Sequence, residues 1–237
     1  MLGIIGGSGL YNLIEGSEHT MKKHYGDTTV IVGQISDEQC AFIPRHGKSH
    51  QIPPHKINYL ANIHALHELG VSDVLSICSV GIIRDYEPGD LVIVRDFIAF
   101  QSIPKTFFDD FSKGIMHADM TEPYSDEFVS LIQKTSENTG IQLKDGGILA
   151  HTSGPRFETK AEIKALGILG ANIVGMTSVQ EAILANELKM RFANIAIAAN
   201  YASGISKRQL TVEEVIEVAK EKEEDIKKII TELVQLL

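Results

Sequence analysis

The chain of 237 residues predicts a single-domain α/β fold. Strand-like and helix-like patterns alternate from one end to the other, the pattern of an α/β domain. No repeat, low-complexity segment or linker interrupts that alternation, and the length suits one large domain or two small ones. One apolar run, 193–199, is built of small residues suited to a buried centre.

In order, residues 2–5 form a strand-like run that enters the turn Gly6-Gly7-Ser8-Gly9. Residues 29–33 and 40–43 read as strands. Pro53-Pro54 precedes a helix over about 56–69, stopped by Gly70. Residues 74–78 are an apolar strand leading into Ser79-Val80-Gly81, and 91–94 follow the turn Pro88-Gly89-Asp90. Ser125 caps a helix that ends before Gly140. Residues 147–150 are a strand, a helix follows Thr159, 172–174 are a strand, and 179–188 are helical. The last helix is announced by a capping-box pattern, Thr211 with Glu214. Val212, Val215, Ile216, Ala219, Ile226, Ile229, Ile230 and Leu233 recur at helical spacing. Glu223–Lys227 and Glu224–Lys228 are supporting pairs one turn apart. The segment 101–119 is irregular and reads as a loop over a site or an oligomer contact.

Composition narrows the function classes. Hydrophobic residues make up 43% and charged residues 22%, ordinary for a globular enzyme, and the formal net charge is −9. Such a surface repels nucleic-acid backbones and acidic membranes. No apolar run is long enough to span a bilayer, and the N-terminus shows no basic segment or cleavage site of a signal peptide. Cys40 and Cys78 each lie inside an apolar run, which fits buried thiols in a reducing cytoplasm.

Several groups can carry chemistry. Three glycines around Ser8 let backbone N–H groups crowd an anion without Cβ interference. A dinucleotide fingerprint is incomplete: counted from Gly7, its third glycine position holds Asn12, and Asp27 precedes a strand instead of ending one. Arg45-His46-Gly47 follows a strand, where a guanidinium makes a bidentate anion clamp. His46 and His50 have helical metal-ligand spacing, but Gly47 weakens a helix there and no acidic or cysteine partner is close, so no metal is expected. Ser79-Val80-Gly81, Met176-Thr177 and Asn200-Tyr201-Ala202 lie at strand ends, where α/β sheets collect ligands. Each alone reads more readily as an ordinary turn; with Ser8 and Arg45, the five polar strand ends read as one convergent site.

Gly3-Ile4-Ile5-Gly6-Gly7-Ser8-Gly9-Leu10, Pro44-Arg45-His46-Gly47, Gly154-Pro155-Arg156-Phe157 and Gly175-Met176-Thr177 together resemble the methylthioadenosine phosphorylases, in the trimeric branch of the purine nucleoside phosphorylases. The resemblance runs from Gly3 to the last helix. It implies a central mixed, twisted sheet flanked by helices. It also implies cleavage of a purine N-glycosidic bond by inorganic phosphate, a co-substrate, with no metal or organic cofactor. By similarity, Ser8, Arg45, His46, Ser79 and Thr177 hold phosphate, Val80 adds a backbone contact, and Met176 lies beneath the ribose. Arg45, His46 and Asn200 are the expected catalytic set. The partners implied are a nucleoside and phosphate, within a homotrimer or hexamer in which His117 of a neighbouring subunit closes the pocket.

The base site departs from the adenosine-type members. They carry Asp-Tyr-Asp where this chain has Asn200-Tyr201-Ala202, and a small hydroxyl residue where this chain has Glu158 after Phe157. Asn200 can donate to O6 of a 6-oxopurine and accept from a protonated N7, and Glu158 can accept N1–H. Val212, Val215 and Ile216 make an apolar 5′ pocket that suits a methylthio group better than a hydroxyl. These features select S-methyl-5′-thioinosine as the expected substrate. A general inosine and guanosine phosphorylase, a methylthioadenosine phosphorylase, a non-catalytic nucleoside-binding module and a dinucleotide-dependent oxidoreductase stand as alternatives.

Overall fold

A computed structural model describes residues 1–11, 13–100, 105–112, 114–207 and 209–237. Nine strands and six α-helices are assigned among them: β1 (Leu2–Gly6), β2 (Gly16–Lys23), β3 (Gly26–Ile35), β4 (Glu38–Pro44), α1 (Tyr59–Glu68), β5 (Asp73–Ile82), β6 (Leu91–Ala99), α2 (Asp126–Thr139), β7 (Leu143–His151), α3 (Lys160–Ile168), β8 (Ile173–Gly175), α4 (Ser178–Glu187), β9 (Arg191–Tyr201), α5 (Val212–Glu221) and α6 (Glu223–Leu236). The expected α/β class and mixed sheet hold. β2 was not foreseen: Gly-Ser-Glu-His-Thr-Met-Lys-Lys carries little apolar signal, and its strand state comes from antiparallel pairing with β3.

The strand order is β2-β3-β4-β1-β5-β8-β7-β6-β9, with a further pairing of β5 to β9. β5 therefore meets three neighbours, and β5, β8, β7, β6 and β9 close into a ring. Closure removes a sheet edge that would otherwise expose unpaired backbone groups. β4, β5 and β9 share one direction with β1 through parallel pairings of β1 with β4 and β5 and of β5 with β9. Their carboxyl ends thus fall on one rim. β8 runs against β5, with Gly81 opposite Val174, so its own end approaches the same rim from the other side.

The core explains the strand runs. Ile4, Ile5, Val74, Leu75, Ile77, Ala193, Ile195, Ala196 and Ile197 are all fully buried. The alanines of β9 leave room for α4 and α5 to approach, as expected for a small-residue central strand.

The helices begin and end where side chains can satisfy their free backbone groups. Ser125 accepts from Phe128 N–H at the start of α2, and Gly140, at φ 72°, ends it. Thr159 and Glu162 form a reciprocal capping box at α3. Thr211 accepts from Glu214 N–H at α5.

The single last helix expected from the apolar stripe is instead a pair. The chain turns at Lys222, whose N–H still reaches Val218 O and whose carbonyl still accepts from Ile226, so the apolar period continues across the junction. Glu223 pairs with Lys227 at 2.9 Å as foreseen; Glu224 also meets Lys227, at 3.3 Å, instead of the expected Lys228.

Candidate active site

A cavity of about 430 Å³ opens at the common rim of β1, β4, β5 and β9. Its wall includes Gly7, Ser8, Arg45, His46, Ser79, Val80, Phe157, Glu158, Met176, Thr177, Asn200, Ala202, Val212 and Val215. The structure thus brings together residues separated by two hundred positions in the chain. Tyr201, Ile216 and His117 are not on the wall. The Tyr201 hydroxyl donates to Glu87, and His117 meets Phe111 edge-on, with its ring centroid 5.7 Å away. The Ile216 carbonyl lies beside Gly9, so this residue packs the turn from behind. Of the irregular segment 101–119, residues 101–104 and 113 lie outside the described residues.

The glycine turn is tightly built. Leu10 N–H reaches Gly7 O at 3.1 Å, placing Ser8 and Gly9 at its corner. Gly9 has φ +83°, a conformation glycine adopts without steric cost. At Gly7 the reason is space: a Cβ would stand 2.7 Å from Arg45 Nη1 and 3.0 Å from Ile77 O.

Arg45 corrects one expectation. It is not a fork open to an anion. Its Nε donates to Glu181 Oε1 at 2.5 Å, and its Nη2 donates to Glu181 Oε2 and to Ser76 Oγ, each at 2.7 Å. Its Nη1 donates to Ile77 O at 2.9 Å. The bidentate partner of the guanidinium is a buried carboxylate of the protein itself.

His46 is buried. Its Nδ1 lies 2.8 Å from Ile52 O, which makes that nitrogen the N–H donor and leaves Nε2 as an acceptor. Burial first, and then the Arg45 guanidinium, push its pKa down to about 4. The ring stacks on His50, centroids 4.6 Å apart, and His50 in turn shares a 2.6 Å hydrogen bond with the Tyr11 hydroxyl. Among the described residues, no group of three or more His, Cys, Asp or Glu is placed to hold a metal ion.

Asn200, across from the end of the strand that carries Ser79, owes its position to an irregularity. β5 continues through Ile82, past the expected end at Cys78, and its register with β9 slips between Val80 and Gly81. Val80 faces Ala198 but Gly81 faces Asn200, so Ala199 is an extra residue. Bulges of this kind re-aim side chains beside active sites. Both residues carry a buried atom without a hydrogen-bond partner, Ser79 Oγ and Asn200 Nδ2. Such orphans are rare in folded proteins, and these two line the cavity, where a ligand can satisfy them.

The opposite wall comes from β8, the N-cap of α4 and the loop that follows β7. Thr177 is the N-cap of α4, yet its side chain makes no capping bond, and the positive end of the ten-residue helix faces the same rim. Glu158 is buried and accepts from Thr152 Oγ1 at 2.5 Å through Oε1. Leu210, Val212 and Val215 give the cavity an apolar side. Glu181, Ser76, Thr152 and Leu210 were missed in the sequence, and His50 was weighed there only as a metal ligand. For Glu181 one signal existed: a charged residue inside the apolar run from Val179 to Leu184.

The Phosphorylase superfamily profile matches residues 1–235. The chain belongs to that superfamily. Among curated relatives of this superfamily member, a 6-oxopurine nucleoside phosphorylase of Pyrococcus furiosus is 45% identical over 245 residues, covering 100% of this chain and 92% of the relative. A protein of Methanopyrus kandleri named "Probable S-methyl-5′-thioinosine phosphorylase" is 42% identical over 223 residues, covering 93% and 86%. Among solved structures, methylthioadenosine phosphorylase of Schistosoma mansoni in complex with adenine superposes with a TM-score of 0.92 at 28% identity, covering 99% of this chain and 91% of that one.

Proposed function

We propose that this phosphorylase cleaves 6-oxopurine nucleosides with inorganic phosphate, with S-methyl-5′-thioinosine as its preferred substrate. The products are hypoxanthine and 5-methylthioribose 1-phosphate. The observation that carries the reading is the pairing, in one cavity, of the buried and unpartnered Asn200 Nδ2 with the buried Glu158 carboxylate.

Asn200 Nδ2 donates to O6 of the base, and its Oδ1 accepts from N7–H once the departing purine takes up a proton there from water. Thr152 occupies Glu158 Oε1, leaving Oε2 to accept N1–H. Adenine has a bare lone pair at N1, which would face that carboxylate, and mispaired buried polar groups discriminate strongly.

Phosphate sits at the other end, against the backbone of the glycine turn, Ser8, Ser79, Thr177, the backbone at Val80 and the N-terminus of α4. His46 Nε2 accepts the one O–H of the phosphate dianion, leaving its bare oxygens for attack. One of these bonds to C1′ as the C1′–N9 bond breaks, and that electron pair departs with the purine. Asn200 stabilises the leaving group, while the dianion stabilises the sugar cation between them. Met176 lies under the ribose. No cofactor beyond the co-substrate phosphate enters the proposal.

The 5′ group points to Leu210, Val212 and Val215, where a hydroxyl would lose its hydrogen-bond partner. A homotrimer is part of the proposal, with His117 of a neighbouring subunit closing this side. Exposed Phe100, Phe111, Ile115 and Met116 around that segment support an interface there. The buried, unpaired thiols Cys40 and Cys78 support a reducing cytoplasm.

Phosphorolysis rates with methylthioinosine, inosine and methylthioadenosine, with and without phosphate, test the reading. Methylthioinosine is expected to be best. Methylthioadenosine in first place overturns the base assignment, and equal use of inosine overturns only the 5′ assignment.

A further inference from the structure

Arg45 is 1% exposed, and Glu181 and Ser76 are fully buried. Four of the five guanidinium N–H groups are spent inside the protein: two on Glu181, one on Ser76 and one on Ile77 O. Ser76 Oγ accepts from Nη2 and donates to Glu181 Oε2, both at 2.7 Å, so the three side chains close a ring of hydrogen bonds. The remaining N–H is on Nη1. That atom lies against Gly7, close enough that a Cβ there would stand 2.7 Å away, and both residues line the phosphate end of the cavity.

We infer that Glu181 is a positioning residue, which with Ser76 turns Arg45 so that one Nη1 N–H faces the phosphate. The inference rests on the reading of this cavity as a phosphorolysis site. A guanidinium on a flexible stem has several rotamers, and a bidentate carboxylate holds it in one. Glu181 also balances the charge of Arg45. Phosphate then meets one guanidinium N–H, hydroxyls, backbone N–H groups and a helix terminus in place of a free cation. A dianion held in this way keeps electron density on the oxygen that attacks.

Glutamine at position 181 keeps the shape, but its NH2 group opposes the N–H donors of Arg45. Titration calorimetry with inorganic phosphate is expected to show binding at least ~10-fold weaker in Glu181→Gln than in the parent. The KM for nucleoside at saturating phosphate should stay within about threefold. Because Glu181 acts through Arg45, adding Glu181→Met to an Arg45→Met variant should cost no further phosphate affinity. A merely structural role would move both substrates and would add to the Arg45→Met loss. Phosphate affinity within about twofold of the parent in Glu181→Gln, or a further loss in the double variant, overturns the inference. Should Glu181→Gln fail to fold, Ser76→Ala leaves the ion pair intact. It is expected to weaken phosphate binding about three- to tenfold, and an unchanged affinity there overturns the inference equally. A parent that binds phosphate without cleaving any nucleoside defeats the proposed reaction but not this role. A parent that binds no phosphate defeats both.

Discussion

His46 Nδ1 stands 2.8 Å from the carbonyl oxygen of Ile52, so a buried ring is held neutral with one fixed tautomer. Burial, then the Arg45 charge, bring its pKa to about 4, and burial does the same for His151. In the unfolded chain both rings take up a proton below the ordinary value of 6.5. Between these limits the unfolded state binds more protons than the native state. Their contribution to stability is therefore complete above pH about 6.5 and is lost as the pH falls toward 4. A depression of two pH units or more corresponds to roughly 3 kcal/mol per ring. Urea unfolding at about pH 7, 5.5 and 4.5 should show a falling midpoint, with a shallower fall in His151→Asn. A midpoint independent of pH over this range contradicts the buried, neutral state of the rings.

The proposed base selection by Asn200 and Glu158 makes a second prediction. Asn200→Asp replaces the NH2 donor with an acceptor and should move the ratio of 6-aminopurine to 6-oxopurine nucleoside turnover upward by about tenfold or more. Glu158→Gln should lower kcat/KM for 6-oxopurines by roughly 10- to 100-fold, the range for one mispaired buried hydrogen bond of about 1–3 kcal/mol. The two changes are read as ratios on the same protein sample, so a general loss of activity does not mimic them. A selectivity ratio unmoved by Asn200→Asp removes that residue from base reading.

Gly7→Ala tests the close approach of Arg45 to the glycine turn. The new methyl would meet Nη1 at 2.7 Å and Ile77 O at 3.0 Å. The Arg45 side chain has no free direction in which to yield, because Glu181, Ser76 and Ile77 hold it. Overpacking of this kind costs about 1–3 kcal/mol. A lower melting temperature together with a raised KM for phosphate is expected. Unchanged values of both would show that the turn adapts without disturbing Arg45.

Much of this site was legible because its residues follow apolar runs. Ser8 after β1, Arg45 after β4 and Thr177 after β8 could be placed at strand ends without knowing how the strands pair. The bulge could not be read that way. Ala199 looks like any other residue of a small apolar strand, and only the pairing of β9 with β5 shows that it is the extra one. Glu181 escaped for a related reason. A glutamate on a helix is ordinarily a solvated charge, and its partner Arg45 lies 136 residues away. β2 was missed because its strand state depends on β3 and not on its own composition. The single final helix was misread because an apolar stripe keeps its period across Lys222, where α5 gives way to α6. Local patterns report burial and caps well; they do not report long-range pairing or registry.

Val212 offers the sharpest test of the 5′ group. It opens α5 directly after the Thr211 cap, lines the cavity and is 48% exposed, so a substitution there leaves the core intact. Val212→His brings a ring nitrogen able to bond a 5′-hydroxyl into a wall otherwise formed by Leu210 and Val215. In the parent, with a neighbouring subunit closing this side as proposed, a hydroxyl placed there loses its water without gaining a partner, at roughly 1–3 kcal/mol. The variant should regain part of that for inosine and lose apolar contact with the methylthio group. The ratio of kcat/KM for inosine to that for methylthioinosine is expected to rise by about tenfold or more. Selectivity between 6-oxo and 6-amino bases should not change, because Asn200 and Glu158 are untouched. A ratio that stays fixed while the protein remains folded would place the 5′ group elsewhere and leave Val212 as part of the packing around the α5 cap.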